Sequence, residues 1–286
     1  MKHIKYFFQF FFISILLFFF KIIGLKLSRK IAGKIFLMFG PLFRSKKIIE
    51  NNISFAFSES TGEFKKTIIS NMWKSYGKIL AEYVFIKNFR TIKAENFLKI
   101  KGQEVLDGIK SSKKPVIFIS GHFDNFELMA MHIERSGIDL AAIYRPLNNY
   151  FLNPLMEKIR KKYICHKQIK KGISGTKEIL KHFKSGTSIA LMIDQRVSQG
   201  IRSLFFNREA FTTTIPAQFV KKFNCKIVPI YIERDKNENF VLEIAKPLNF
   251  NNNQTIEDIT LELNYLLEKM ILKNPGQWIW SHNRWK

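Results

Sequence analysis

PVIFISGHFDNFELMAMHIER, residues 115–135, changes character twice. PVIFIS (115–120) is uncharged and apolar, the pattern of a buried strand. Gly121 interrupts it, and FDNFELMAMHIER (123–135) then spaces its apolar residues as a helix does. The same alternation continues downstream. LAAIYR (140–145) and SIALMID (188–194) read as strands, while YFLNPLMEKIRKKY (150–163), GTKEILKHFKSG (175–186) and TIPAQFVKKFN (214–224) read as helices. KIVPIYIER (226–234) and FVLEIAKPL (240–248) are further strands, and Pro229 points to a bulge or an edge position for the first. A last helix is predicted from Thr255, with Asp258 at capping-box spacing, to about Lys273. Strands alternating with helices predict an α/β fold, with a largely parallel or mixed central sheet flanked by helices.

Open α/β sheets bind ligands beyond the carboxyl ends of their strands. His122 follows the first of these strands, Arg145 ends the second, and Asp194, Gln195 and Arg196 follow the third. If the three strands are parallel neighbours, these polar groups share one crevice. Glu127 lies five residues after His122. Inside one helix the two would stand about 140° apart and could not touch. They meet only if His122 sits in the loop before the helix and folds back. Glu127 would then orient the imidazole and leave the other ring nitrogen free as a base. The plainer alternative is a helix start, with Asp124 as N-cap and Glu127 as its acidic partner.

YFFQFFFISILLFFF (6–20) carries no charge and is flanked by Lys2, Lys5 and Lys21. With snorkelling at Lys21 the apolar stretch extends to Leu25, about the length a membrane span requires. Residues 1–25 are therefore expected to be an uncleaved transmembrane or interfacial anchor. The more basic flank after it puts the remaining chain on the cytoplasmic side of the membrane. That remainder, 26–286, is expected to be one domain, helix-rich over 26–110 and α/β over 111–286. The formal net charge is +24, which suits acidic partners such as anionic lipid or an acidic protein. No helix-turn-helix or RRM signature supports nucleic acid. Cys165 and Cys225 form no CxxC pair, and His132 and His166 have no companions at metal-ligand spacing. No GxSxG elbow, P-loop or GxGxxG is present, which argues against hydrolase, NTPase and Rossmann cofactor readings.

HFDNFE (122–127) matches the H-x4-E/D signature of glycerolipid and lipid A acyltransferases. Its surroundings resemble the late acyltransferases of lipid A biosynthesis, the lauroyl/myristoyl transferases. ISGHFDNFELMA (119–130), AIYRPLNN (142–149), the long stretch from Ala190 to Arg234, and NPGQWIWSHNRWK (274–286) are similar to successive blocks of that family. The resemblance implies that His122 takes a proton from a lipid hydroxyl, oriented by Glu127. The oxygen then attacks an acyl thioester on acyl carrier protein, with no metal, cofactor or covalent enzyme intermediate. It makes a lipid A precursor the acceptor and anionic membrane lipids the surroundings. Arg145 becomes a candidate for the oxyanion or a phosphate, Asp194 and Gln195 for ordering the site, and Arg196 and Arg202 for lipid phosphates. Phe205, Phe206 and Phe211 are acyl-chain walls or plain core. The family commonly has FFG where this chain has Phe205-Phe206-Asn207, which leaves that turn and the neighbouring Thr212 and Thr213 open. Trp278, Trp280 and Trp285 suit an interfacial belt or packing against the first helices. Two other readings stay open: an acyltransferase with a glycerophospholipid or other glycolipid acceptor, and a basic membrane-bound binding protein without catalysis.

Overall fold

The computed structural model describes residues 2–91 and 97–286; Met1 and residues 92–96 of the expected helix-rich segment lie outside them. The strands are β1 (Leu98–Lys101), β2 (Ile117–Ser120), β3 (Leu140–Tyr144), β4 (Lys167–Lys170), β5 (Ser188–Met192), β6 (Ile201–Phe205), β7 (Arg208–Thr212), β8 (Ile227–Arg234) and β9 (Phe240–Ile244). Seven of them form one sheet in the order β1-β9-β8-β2-β5-β3-β4, and β6 and β7 form a separate hairpin. Every pairing in the large sheet is parallel except β8 with β9. This is the α/β architecture the sequence pattern predicts. The strands from 115, 140 and 188 are indeed parallel neighbours, with β5 between β2 and β3.

Pro229 does not mark an edge. β8 lies inside the sheet, parallel to β2 over Ile227–Pro229 and antiparallel to β9 from Ile230 onward. Proline cannot donate to a ladder, and it falls where the strand passes from one partner to the other. Its carbonyl still accepts the N–H of Ala245 at 3.0 Å. The sheet also begins before residue 111, because β1 joins it beside β9. β4 closes the other edge with Lys167 and Lys170, charges that discourage pairing with another chain.

The helices are α1 (Lys2–Ile23), α2 (Leu25–Phe39), α3 (Lys46–Ala56), α4 (Gly62–Glu82), α5 (Ile86–Arg90), α6 (Gln103–Ser112), α7 (Glu127–Arg135), α8 (Leu152–Tyr163), α9 (Ile173–Lys184), α10 (Ile215–Phe223) and α11 (Ile256–Lys273). Thr255 and Asp258 close the predicted capping box of α11. On one sheet face Ser120 meets Met129 of α7 and Tyr144 bonds Glu157 of α8. α9 and α10 meet through Phe183 and Phe219, with ring centroids 5.1 Å apart. α2 lies so close to α4 that a Cβ on Gly77 would stand 2.1 Å from the Ala32 carbonyl oxygen. α1 is 22 residues long, about 33 Å of helix, and among the described residues it alone is long and apolar enough to cross a membrane. One of its faces is packed: Phe20 against Ala32 and Ala81, Phe10 and Ile13 beside Tyr83, Leu152 and Met156. Phe8, Phe12, Phe18 and Ile22 on it are exposed.

A buried ionic cluster joins the helical layer to the sheet. Arg234, at the end of β8, reaches Asp124 at 2.6 Å and Glu82 of α4 at 2.7 Å. Arg29 of α2 bonds the same Glu82 at 2.6 Å. Burial alone would raise the Glu82 pKa, but Arg234 and Arg29 outweigh it and hold the carboxyl below its ordinary value. Removing one member strands the others away from water. Arg234→Ala is expected to destabilise the protein by about 3–5 kcal/mol in denaturant unfolding of the detergent-solubilised chain. Arg202→Ala, which removes the exposed Arg202–Glu209 pair of the hairpin, is expected to cost no more than about 1 kcal/mol.

Candidate active site

The β2–β5 register pairs Ser120 with Met192, and Ile193 extends it by donating to the Ser120 carbonyl at 2.9 Å. Two residues beyond each strand, His122 therefore faces Asp194. His122 donates its main-chain N–H to Asp194 Oδ2 at 2.7 Å, and its ring Nδ1 lies 2.8 Å from Oδ1. Trp278 Nε1 donates to Oδ2 at 2.9 Å. Asp194 is fully buried. Burial would raise its pKa, yet His122 by charge and by two hydrogen bonds, together with Trp278, holds the carboxyl below its ordinary range. An ionised carboxylate only accepts, so Nδ1 of the ring carries a proton and Nε2 is the nitrogen left to exchange one. The Gln195 amide nitrogen is 3.5 Å from that Nε2, and Phe126 meets the ring edge-on at 4.7 Å between centroids.

The expected His122–Glu127 bond is absent. Glu127 Oε1 instead accepts from Arg160 Nε at 2.8 Å and Nη2 at 2.5 Å, and from the Tyr83 hydroxyl. His122 does lie in a loop before the helix, as reaching Glu127 requires, but the loop carries it to β5. Glu127 is the first residue of α7 and pairs with α8. The capping alternative fails too: Phe126 stands at the N-cap of α7 without a side-chain cap, and Asp124, bound to Arg234 and to Ser75 at 3.1 Å, accepts only the Asn125 main-chain N–H at 2.8 Å. Asp124 has φ 32°, a costly conformation outside glycine, and the buried cluster holds it there. Gly121 serves by its size: a Cβ would come within 2.9 Å of the Phe123 ring and 3.1 Å of Leu267. Phe123 in turn bridges to Trp278, and Asp124 N–H donates to the Gln277 carbonyl at 2.8 Å.

His122 opens on a cavity of about 840 Å³ that also contacts Arg145, Gln195, Glu127 and Arg160. Its apolar lining includes Ala130, Ala142 and Ala190, small side chains at the sheet and on α7; Ala142 and Ala190 are cross-strand partners. Arg196 borders an adjoining recess with Arg145 and donates its main-chain N–H to His282 Nε2 at 3.0 Å. Arg202 is not brought to this site; it pairs with Glu209 across the hairpin, since its strand β6 lies outside the main sheet. Phe205 is core, stacked on Trp285 at 5.4 Å, and Phe211 lies under Arg196 and Arg202. Thr213 touches the cavity, whereas Thr212 accepts from Arg284 at 2.7 Å. Trp278 and Trp280 are buried, which favours the packing reading over an interfacial belt.

Residues 1–286 match the family described as bacterial lipid A biosynthesis acyltransferase. The chain belongs to that family. It is 23% identical over 260 residues to the lipid A biosynthesis acyltransferase of Haemophilus influenzae, covering 87% of this chain and 82% of the relative. It is 24% identical over 267 residues to the lipid A biosynthesis lauroyltransferase of Escherichia coli K12, covering 89% and 82%. Among solved structures, the 1-acyl-sn-glycerophosphate acyltransferase of Thermotoga maritima aligns with a TM-score of 0.43 at 10% identity, over 90% of this chain and all of that one.

In this acyltransferase the turn after Phe205 takes a left-handed backbone. Phe206 and Asn207 have φ of 50° and 56° and link the paired Phe205 and Arg208, the positive-φ pattern of a two-residue hairpin turn. Asparagine tolerates that region better than other non-glycine residues, so the departure is accommodated. Sequence reasoning missed Arg160, Trp278 and His282 as neighbours of the site. The first lies in a lysine-rich helix that reads as solvated, and the others in a segment with no periodic pattern.

If Asp194 orients the base, Asp194→Asn lowers acyl transfer by roughly 10²–10⁴-fold, measured as initial rate. Glu127→Gln keeps the His122 contacts and acts through the Arg160 pair, so its main effect is on thermal stability. Acid has a defined signature as well. Burial lowers the His282 pKa from 6.5 to about 4. Between those values the unfolded chain binds more protons, so this stability is lost as pH falls across the window. Urea midpoints are expected to drop from pH 6.5 to 4, and His282→Gln to flatten the slope.

Proposed function

We propose that this acyltransferase moves a fatty acyl chain from acyl carrier protein to a hydroxyl of a lipid A precursor, as a secondary acylation in lipopolysaccharide assembly. The observation that carries the reading is the anchoring of His122 Nδ1 by Asp194 on the wall of the cavity, which leaves Nε2 with only the long Gln195 contact at 3.5 Å. His122 Nε2 takes the proton from the acceptor hydroxyl as its oxygen attacks the thioester carbonyl carbon. The imidazolium that forms is stabilised by Asp194, which stays ionised. The tetrahedral intermediate collapses, the carbon–sulfur bond breaks, and the imidazolium returns its proton to the leaving thiolate. The Gln195 amide, 3.5 Å from Nε2, is the nearest side-chain donor for the developing oxyanion, with Arg145 on the same cavity. The alanine-lined part of the cavity has room for the acyl chain. Glu127, with Arg160, holds the wall beside it.

The acceptor is supported by family membership and by relatives whose names specify lipid A biosynthesis. An acidic carrier protein and anionic lipids suit the net charge of +24. The exposed phenylalanines of α1 support a membrane anchor, and the basic flank that follows it supports an inner-membrane protein with its α/β part on the cytoplasmic face. Mass spectrometry of lipid A from cells with and without the protein tests the reading. The expected difference is one fatty acyl group, absent when only His122→Ala is supplied. An acyl difference confined to glycerophospholipid, or full transfer by a folded, membrane-bound His122→Ala protein, would contradict it.

A further inference from the structure

α1 is tied to the rest of the protein along nearly its whole length. In its first turns the Tyr6 carbonyl accepts Asn149 Nδ2 at 2.9 Å, and His3 bonds the Tyr150 hydroxyl. Phe7 and Phe10 meet Phe151 at 5.7 and 6.2 Å between ring centroids. Phe10 and Ile13 then pack beside Tyr83, Leu152 and Met156, and Phe20 lies against Ala32 and Ala81. Ser28 secures the far end by donating to the Phe20 carbonyl at 2.8 Å. The opposite face is a continuous apolar stripe. Ile4, Phe8, Phe11, Ile15, Phe18 and Ile22 are exposed, and at about 100° per residue they fall within roughly 80° of one another. One face of α1 is thus taken by protein and the other is free for lipid.

Both ends of α1 are fixed to the same folded unit. Crossing a bilayer would set the His3 and Ile23 ends apart by the roughly 30 Å hydrocarbon core. It would also draw their partners into lipid: Asn149, Tyr83 and the start of α8, a helix with exposed Lys158, Lys161 and Lys162. Charges at that depth are costly. A helix lying along the membrane surface needs no such immersion. The charge pattern fits this placement as well. Residues 1–49 contain ten lysines and arginines and no aspartate or glutamate. Lys2 and Lys5 precede the apolar run, and Lys21, Lys26, Lys30 and Lys34 follow it, so both ends suit the anionic surface of one leaflet.

We propose that α1 docks in the plane of one leaflet of an anionic bilayer, through its exposed stripe, and does not cross the membrane. Leu42 and Phe43, exposed just after α2, enter the same leaflet. Phe43 lines the cavity at His122, as do Leu147 and Asn148 of the loop that α1 holds. The cavity is therefore bordered by both membrane contacts, and a lipid reaches His122 without leaving the leaflet. That use of the cavity rests on the acyl-transfer reading; the placement of α1 does not.

The test uses the full chain reconstituted in vesicles of phosphatidylethanolamine and phosphatidylglycerol. Nitroxide labels are placed singly through Phe8→Cys, Ile15→Cys, Ile22→Cys and Leu42→Cys. Depth is read from collision with oxygen and with a water-soluble nickel chelate. The parent is the blank, since Cys165 is buried, Cys225 half-buried, and burial pushes both thiols up to about 12. The three α1 positions span about 21 Å of helix. In-plane docking gives all four labels a similar shallow depth in lipid, whereas a crossing helix puts Ile15 deepest. In inverted inner-membrane vesicles and in spheroplasts, a membrane-impermeant maleimide is expected to reach Lys2→Cys and Lys184→Cys, at the end of α9, from the same side. A depth maximum at Ile15, a Leu42 label in water, or labels shielded from lipid by a second copy of the chain would overturn the proposal. So would Lys2→Cys and Lys184→Cys reached from opposite sides. One-leaflet docking in a protein that transfers no acyl group would leave it standing and remove the acyl-transfer reading.

Discussion

The pairing of β2 with β5 is the constraint on which the site depends. Parallel strands in fixed register deliver their next residues side by side, and Ser120 opposite Met192 brings His122 to Asp194. Slipping the register by one residue would turn every side chain of β2 to the other face. Both strands are largely buried, so the hydrophobic cost of such a slip protects the His122–Asp194 geometry. The core thus sets the position of a polar pair that lies just outside it.

The second support is ionic. The loop after His122 contains Asp124 at positive φ, and Arg234 ties that residue to Glu82 and, through it, to Arg29. Buried pairs contribute little net stability over apolar packing, but they are demanding about geometry. Here the cluster connects the helices following α1 to the loop that carries His122. The carboxyl-terminal segment completes the arrangement: Gln277 and Trp278 bond the loop and Asp194, and His282 meets the main chain of Arg196. That segment therefore works as part of the site.

Much of this is legible in the sequence. Hydrophobic runs with turn residues between them marked β2, β3, β5, β8 and β9, and strand-end logic gathered His122, Arg145 and Asp194–Arg196 at one edge. β1 and β4 were missed because LKIK and KQIK are short and half lysine, without an apolar run. Pro229 misled because one strand has two partners of opposite direction. The main error concerned the histidine's partner. A carboxylate five residues away is conspicuous in a sequence, whereas Asp194 lies 72 residues away and becomes a neighbour only through strand order. Glu127 has an ordinary reason to be elsewhere: Arg160 and Tyr83 provide three donors where α7 begins.

The state of the His122 ring tests this account most directly. Nitrogen-15 NMR of histidine-labelled protein should show His122 with a proton on Nδ1, shifted downfield by a strong acceptor. That signal should persist in Glu127→Gln and disappear or move in Asp194→Asn. A His122 signal that responds to Glu127→Gln and ignores Asp194→Asn would contradict the account.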